Sequence, residues 1–189
     1  YAPLTETCRC NHRCSRCSAD TQIPCSENTY NEHPGSSLVT DCARCPERTS
    51  TLGRSGSTSA DACFCAPLFY LAPETMDVAS RDECLDRCCT CPVGSDCTEG
   101  AIKLVDLPIL PGYFRRSFDH VDVRRCPDAS ANCRGGESTC LSTTSACQGG
   151  RDTGSICRPG LTGIFCRSCV EPEEYFMPAE RGMNATCEP

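Results

Sequence analysis

Twenty-two of the 189 residues are cysteine, and the thiols set the range of chemistry open to this chain. A thiol can close a disulfide, ligate a soft metal such as zinc, or act as a nucleophile when its pKa is depressed. Spacing separates the three. Zinc sites use paired CxxC knuckles, often with histidine as co-ligand. Cys14/Cys17, Cys42/Cys45 and Cys166/Cys169 have that spacing, but Cys63/Cys65 and adjacent Cys88/Cys89 do not, and the histidines are His12, His33 and His120 alone. Disulfide-exchange catalysts place CxxC at a helix N-terminus, and none of the three pairs leads into a helix-forming stretch. His12, between Cys10 and Cys14, stands where a thiol and an imidazole can act together, but it reads as a loop histidine beside a bridge. Disulfide closure fits best. The count is even, allowing eleven bridges, and a density of about 12% exceeds the ~8–10% that marks a disulfide scaffold. Such a chain belongs outside the reducing cytosol.

Other chemistries lack their signatures. Neither GxSxG, HExxH nor GxxxxGK occurs. A catalytic pocket is normally built on a substantial apolar core, which a chain with no Trp, six Phe and five Tyr does not promise. The sequence thus points to binding or assembly rather than catalysis, with no cofactor and no metal. Its formal net charge of −7 would repel a nucleic-acid backbone or an anionic membrane. The longest apolar stretch, Ile102 to Leu110, is broken by Lys103, Asp106 and Pro108 and falls far short of the ~20 residues that span a bilayer, so no membrane insertion is expected in this segment. The chain opens at Tyr1 without Met or an apolar leader, as a processed mature end or a piece of a longer protein would.

The elements that must position the cysteines are short and repeated. Cys25 to Cys45 (CSENTYNEHPGSSLVTDCARC) and Cys45 to Cys65 (CPERTSTLGRSGSTSADACFC) superimpose at a 20-residue offset. Each carries Thr near its fourth position and Gly-Ser seven residues before the next cysteine. Gly35-Ser36 and Gly56-Ser57 are expected to reverse the chain between two short extended segments. Such a ribbon is marginal alone, and Cys25–Cys42 with Cys45–Cys63 would staple equivalent loops. The expected fold is small, disulfide-rich and mostly irregular, with short β-hairpins, little helix and elongated tandem modules. Residues 1–24 read as a cysteine-dense cap or half-repeat, 25–65 as the two repeats, and 66–100 as a divergent unit in which ASRDECLDRCC can form one helical turn. Neighbouring Cys88 and Cys89 must find different partners. Residues 101–125 read as strand, Pro111-Gly112 turn, strand, with Tyr113, Phe114 and Phe118 packing on Leu107 and Leu110. Residues 126–189 form a glycine-punctuated, cysteine-rich tail.

The units from Cys25 to Cys65 resemble the cysteine-rich repeats of ephrin receptors and tumour-necrosis-factor-receptor-type modules, in which C…GTY…GS…C..C recurs. Asn28 and Arg48 stand where that pattern has glycine. CRPGLTGIFCRSC, with Gly160 and Gly163, resembles the ending of EGF and laminin-type EGF modules, which implies a Cys157–Cys166 bridge; Cys169 and Cys187 are expected as a further pair. Asp82-Glu83-Cys84 resembles part of a calcium-binding EGF module without its companion acids. LPGYFRR followed by CRGG also resembles a block of large surface proteins of algae and water moulds. These resemblances imply roles in rods, receptor stalks, adhesive proteins and extracellular filaments.

Asn184-Ala185-Thr186 is an N-glycosylation acceptor, and the hydroxyl-rich runs from Thr49 to Ala60 and from Leu141 to Ala146 could carry O-glycans. The expectation is therefore an extracellular or cell-surface building block that works through protein partners, by self-assembly or with other extracellular proteins. The alternative is a ligand-binding receptor ectodomain segment, with Tyr113, Phe114, Arg115 and Arg116 as the interface, since aromatics and Arg dominate binding hot spots.

Overall fold

A computed structural model describes residues 24–33, 39–76, 83–129, 144–151, 156–179 and 183–189. One local device recurs through them. A four-residue turn places its third residue at positive φ, a short strand follows, and a second strand returns antiparallel. The third residues are Asn28 (φ 62°), Arg48 (62°), Leu68 (76°), Gly94 (92°), Gly112 (85°) and Gly160 (82°). Positive φ at the third position alone is the signature of a type II turn, which favours Pro at the second; Pro67, Pro111 and Pro159 stand there. Each turn is closed by a backbone bond from its fourth residue to the carbonyl of its first, as in Thr29 N–H to Ser26 at 3.2 Å and Leu161 N–H to Arg158 at 3.0 Å. The carbonyl of the left-handed residue then accepts from the end of the returning strand, as Asn28 does from Cys45 (2.9 Å), Leu68 from Cys91 (3.0 Å) and Gly160 from Val170 (2.9 Å).

The hairpins so formed are β1 (Thr29–Tyr30) with β2 (Ala43–Arg44), and β3 (Thr49–Ser50) with β4 (Phe64–Cys65). In the third, β5 (Phe69–Leu71) pairs with β7 (Cys88–Thr90), and β6 (Cys84–Leu85) and β8 (Ile102–Lys103) widen it to a four-stranded sheet of order β6-β7-β5-β8. The fourth is a single bridge, Ser95 to Ile109. The fifth joins β9 (Tyr113–Arg115) to β10 (Val123–Arg125), the sixth β11 (Leu161–Thr162) to β12 (Ser168–Cys169). A last hairpin, β13 (Tyr175–Met177) with β14 (Thr186–Glu188), lacks the left-handed residue. Among the described residues there is no α-helix, only strands and single 3-10 turns.

Eight bridges take up all sixteen cysteines of the described residues. In four units the opening cysteine joins one at the returning strand: Cys25–Cys42, Cys45–Cys63, Cys65–Cys88 and Cys157–Cys166. Cys169–Cys187 closes the last hairpin, and Cys84–Cys89, Cys91–Cys97 and Cys126–Cys147 complete the set. Two-residue ribbons are marginal in water; closing a loop of this length contributes about 3 kcal/mol in the chain-entropy model.

Three local expectations change. Residues 83–90 do not form a helical turn: β6 and β7 are a hairpin with Cys84 opposite Cys89 and bonded to it. Successive strand side chains point to opposite faces, so neighbouring Cys88 is free to reach Cys65. Residues 101–125 do not form one hairpin about Pro111-Gly112. Pro108 and Pro111 remove backbone donors before that turn; β8 pairs in parallel with β5 instead, and β9 pairs forward with β10. Residues 66–91 repeat the unit of 25–65 rather than depart from it. Gly56 has φ 75°, but the chain turns at Leu52-Gly53, closed by Arg54 N–H to the Thr51 carbonyl at 3.0 Å, and Gly56 N–H instead bonds the Cys25 carbonyl at 2.7 Å; Gly35-Ser36, like residues 1–23, lies outside the described residues.

A compact core accompanies the bridges. Tyr70, Leu104, Leu107, Ile109, Tyr113, Ile156 and Leu161 are buried with Cys89, Cys97, Cys126, Cys147 and Cys166. The stretch read as a connector thus supplies the core's middle.

Candidate binding surface

Strand alternation divides the expected interface. Along β9, Tyr113 and Arg115 point inward and are 5% and 2% exposed, whereas Phe114 is half-buried and Arg116 exposed. Tyr113 and Arg115 are therefore not available as docking residues. The expected burial of Phe118 also fails, since it is 41% exposed. Arg115 instead shapes the β9–β10 loop: its Nε donates to the His120 carbonyl at 2.7 Å, and an Nη donates to that of Phe118. Burial holds its pKa below the ordinary arginine value, with Tyr70 and Asp119 acting in the opposite direction. In the loop, the Ser117 hydroxyl donates to Asp119, and this hydrogen bond is the main cause of the lowered Asp119 pKa.

The outward side chains of the hairpin line a shallow depression of about 190 Å3 with Ile164. Phe114 forms its floor and leans on Phe165, the ring centroids 5.4 Å apart. Ile164, on the tip of the β11–β12 hairpin, is 62% exposed. Arg116, Asp122 and Arg124 form the polar rim. Arg124 Nε donates to Asp122 Oδ2 at 2.8 Å, which lowers the Asp122 pKa and raises that of Arg124. The arrangement offers apolar contact ringed by guanidinium groups, the chemistry of a protein-docking hot spot. Its sequence signal was the YFRR run. Ile164 had no signal in the sequence, because only folding brings the tip of β11–β12 beside β9.

No family model, curated protein or solved structure matches this chain.

Elsewhere, Cys169, Glu174 and Cys187 bring potential metal-ligand atoms within 4.8 Å of one another. Two of the three sulfurs and oxygens involved are joined as Cys169–Cys187, and a disulfide offers no thiolate to a metal. Asn184 and Thr186 of the glycosylation sequon are both exposed. Of the Thr49–Ala60 hydroxyls, Thr51 is fully buried and committed: it accepts from Asn28 N–H at 2.9 Å and donates to the Arg54 carbonyl at 2.6 Å. Thr51 is therefore not a glycan acceptor. In the second run Ser145 is buried and bonds Asp128 at 2.7 Å, and residues 141–143 lie outside the described residues. The bridge density is that of a protein from an oxidising compartment, and no helix among the described residues is long and apolar enough to cross a membrane.

Proposed function

We infer that the protein is an extracellular or cell-surface structural and adhesive component that works through protein–protein assembly rather than catalysis. The observation that carries this reading is the recurrence of one turn-and-hairpin unit six times within a single chain. Units that bond to their neighbours suit serial, lateral contact surfaces better than an enclosed reaction site. The likeness of its first units to ephrin-receptor and tumour-necrosis-factor-receptor repeats, and of CRPGLTGIFCRSC to EGF modules, supports the same reading. Self-association or other extracellular proteins are the partners, and Asn184 carries an N-linked glycan.

A second reading, a ligand-binding receptor ectodomain segment, is favoured by the Phe114, Arg116 and Arg124 surface, whose chemistry fits a protein ligand equally well. Size and shape of the oxidised protein, by light scattering and negative-stain imaging across concentration, separate the two. Assembly predicts growing oligomers or filaments that disperse under reductant. A monodisperse monomer at every concentration would overturn the assembly reading in favour of the second. Intact mass before and after glycosidase tests Asn184; an unshifted mass removes the glycan.

A further inference from the structure

We propose that the Phe114–Ile164 depression receives the acidic loop Glu171-Pro172-Glu173-Glu174 of a second copy of this chain, in a head-to-tail contact. The inference rests on the assembly reading and names its surfaces. The charge pattern comes first. The chain is acidic overall, yet FRRSFDHVDVRR carries four of its arginines, two of which, Arg116 and Arg124, are exposed at the rim of the depression. The loop after β12 gathers three carboxylates in four residues, with Glu171 and Glu173 exposed. None of the three takes part in an ion pair among the described residues.

The apolar complement matches as well. Val170 and Tyr175, on either side of the acidic loop, are 60% and 73% exposed, and they face the solvent much as Ile164 does at 62%. A Val170–Tyr175 pair set against Phe114 and Ile164, with carboxylates against guanidinium groups around it, has an apolar centre and a charged rim.

Placement sets the symmetry. Ile164 lies at the tip of the β11–β12 hairpin. The acidic loop leaves from the other end, where Val170 N–H bonds the Gly160 carbonyl. Patch and loop therefore occupy opposite ends of one hairpin and engage different molecules. Such a contact is heterologous: an associated pair still keeps one free patch at one end and one free loop at the other, so association propagates into an open series unless the rotation closes it.

Charge reversal provides the test, using the full oxidised chain in sedimentation-velocity runs. Arg116→Glu with Arg124→Glu gives a patch-reversed protein, and Glu171→Lys, Glu173→Lys with Glu174→Lys a loop-reversed one. Each alone is expected to self-associate at least about tenfold more weakly than the natural chain, because like charges now meet. Mixed together they are expected to co-assemble, since each supplies the complement the other lacks. This rescue also shows that both variants are folded. Natural chain that assembles while both variants assemble equally well, or a mixture that stays as weak as its components, overturns the docking and leaves assembly standing. Natural chain that remains monomeric overturns both.

Discussion

Residues 25–65 and 66–187 are built from the same unit but are held together differently. In the first region the buried side chains among the described residues are Cys25, Cys65, Asn31 and Thr51, with no aliphatic or aromatic side chain among them. In the second they include Tyr70, Ile102, Leu104, Leu107, Ile109, Tyr113, Ile156 and Leu161. The fourth turn residue shows how one position serves both. It is Thr29 and Thr49 in the first region, where each hydroxyl donates back to its own turn at 2.7 Å. In the second it is Tyr113 and Leu161 in two units, where the side chain enters the core, while Ser95 keeps the local bond to its own turn at 2.7 Å. One backbone design thus accepts either a local hydrogen bond or a hydrophobic anchor. Only the anchored version gains the ~1.5–3 kcal/mol that burying a large apolar side chain supplies.

The unanchored region uses polar ties between units instead. Asn28 Oδ1 accepts from Thr51 N–H at 3.1 Å while Asn28 N–H bonds the Thr51 hydroxyl at 2.9 Å. Arg48 donates to the Glu83 carbonyl at 2.7 Å and lies over the Phe69 ring at 5.2 Å. The positions where the resembled repeats carry glycine thus hold side chains that reach into the next unit. Asn tolerates positive φ better than most residues; at Arg48 the forward contacts accompany a conformation that costs roughly 1–2 kcal/mol.

The largest effect should come from the anchored region. A Cβ added at Gly94 would lie 2.2 Å from Tyr113 Cδ1, at a φ of 92°. Gly94→Ala should destabilise by about 3 kcal/mol or more, from overpacking and left-handed strain together. Denaturant midpoints would measure it, and a loss under ~1 kcal/mol would mean that this core is looser than the described packing. Removing bridges compares the regions directly. Cys45→Ser with Cys63→Ser opens a loop spanning 18 positions and should cost about 3 kcal/mol. Hydrogen exchange should then lose protection across 45–65 while Tyr70 and Tyr113 keep theirs. Opening Cys157–Cys166, which spans 9 positions, should leave protection beside buried Leu161. Equal local loss in both variants would remove the distinction between anchored and unanchored units. A smaller effect is expected at Asn28. Asn28→Ala loses both the amide tie and tolerance of positive φ, about 2 kcal/mol; Asn28→Gly loses the tie alone, about 1 kcal/mol. Thermal unfolding in which Ala is no worse than Gly would break the assignment.

Much of this frame was legible in the residues. The 20-residue offset exposed the first two units because cysteine, threonine and glycine recur there at nearly fixed separations. Pairings drawn from that offset, Cys25–Cys42 and Cys45–Cys63, are those of the structure. The unit at Cys65 stayed hidden because Phe69 replaces threonine and a long insertion separates Cys65 from Cys88. The fifth stayed hidden because Ile109 stands where the others open with cysteine. The shared signal was the turn itself: Ala66-Pro67-Leu68, Leu110-Pro111-Gly112 and Arg158-Pro159-Gly160 all place Pro before the left-handed residue. Leu68 concealed the first of these, since it has no intrinsic preference for positive φ. The candidate surface was half legible. YFRR marked the strand, but period-two alternation buries Tyr113 and Arg115, and only the known strand register tells which two face out.

The smallest effect sharpens how charge is used in these units. Besides Asp119, two carboxyls lie below their ordinary pKa for different reasons: Asp96 chiefly through hydrogen bonds from the Thr98 hydroxyl and N–H, Asp122 chiefly through the hydrogen bond from Arg124. Both depressions have the same sign. The stability they contribute is present above the unfolded carboxyl pKa and is lost as pH falls through the lower folded value. Asp122 is exposed, so its contribution is screened and small. Carboxyl chemical shifts followed through an acid titration would resolve each group. Arg124→Ala should return Asp122 toward the ordinary range and leave Asp96 where it is; Thr98→Ala should do the reverse. If Asp96 moved with Arg124, the charge on β10 would act across units, and the surface could not be treated as a set of locally paired groups. If neither moved, the rim of the depression would be set by mobile, solvent-averaged charges, and its pull on an acidic partner would depend on ionic strength alone.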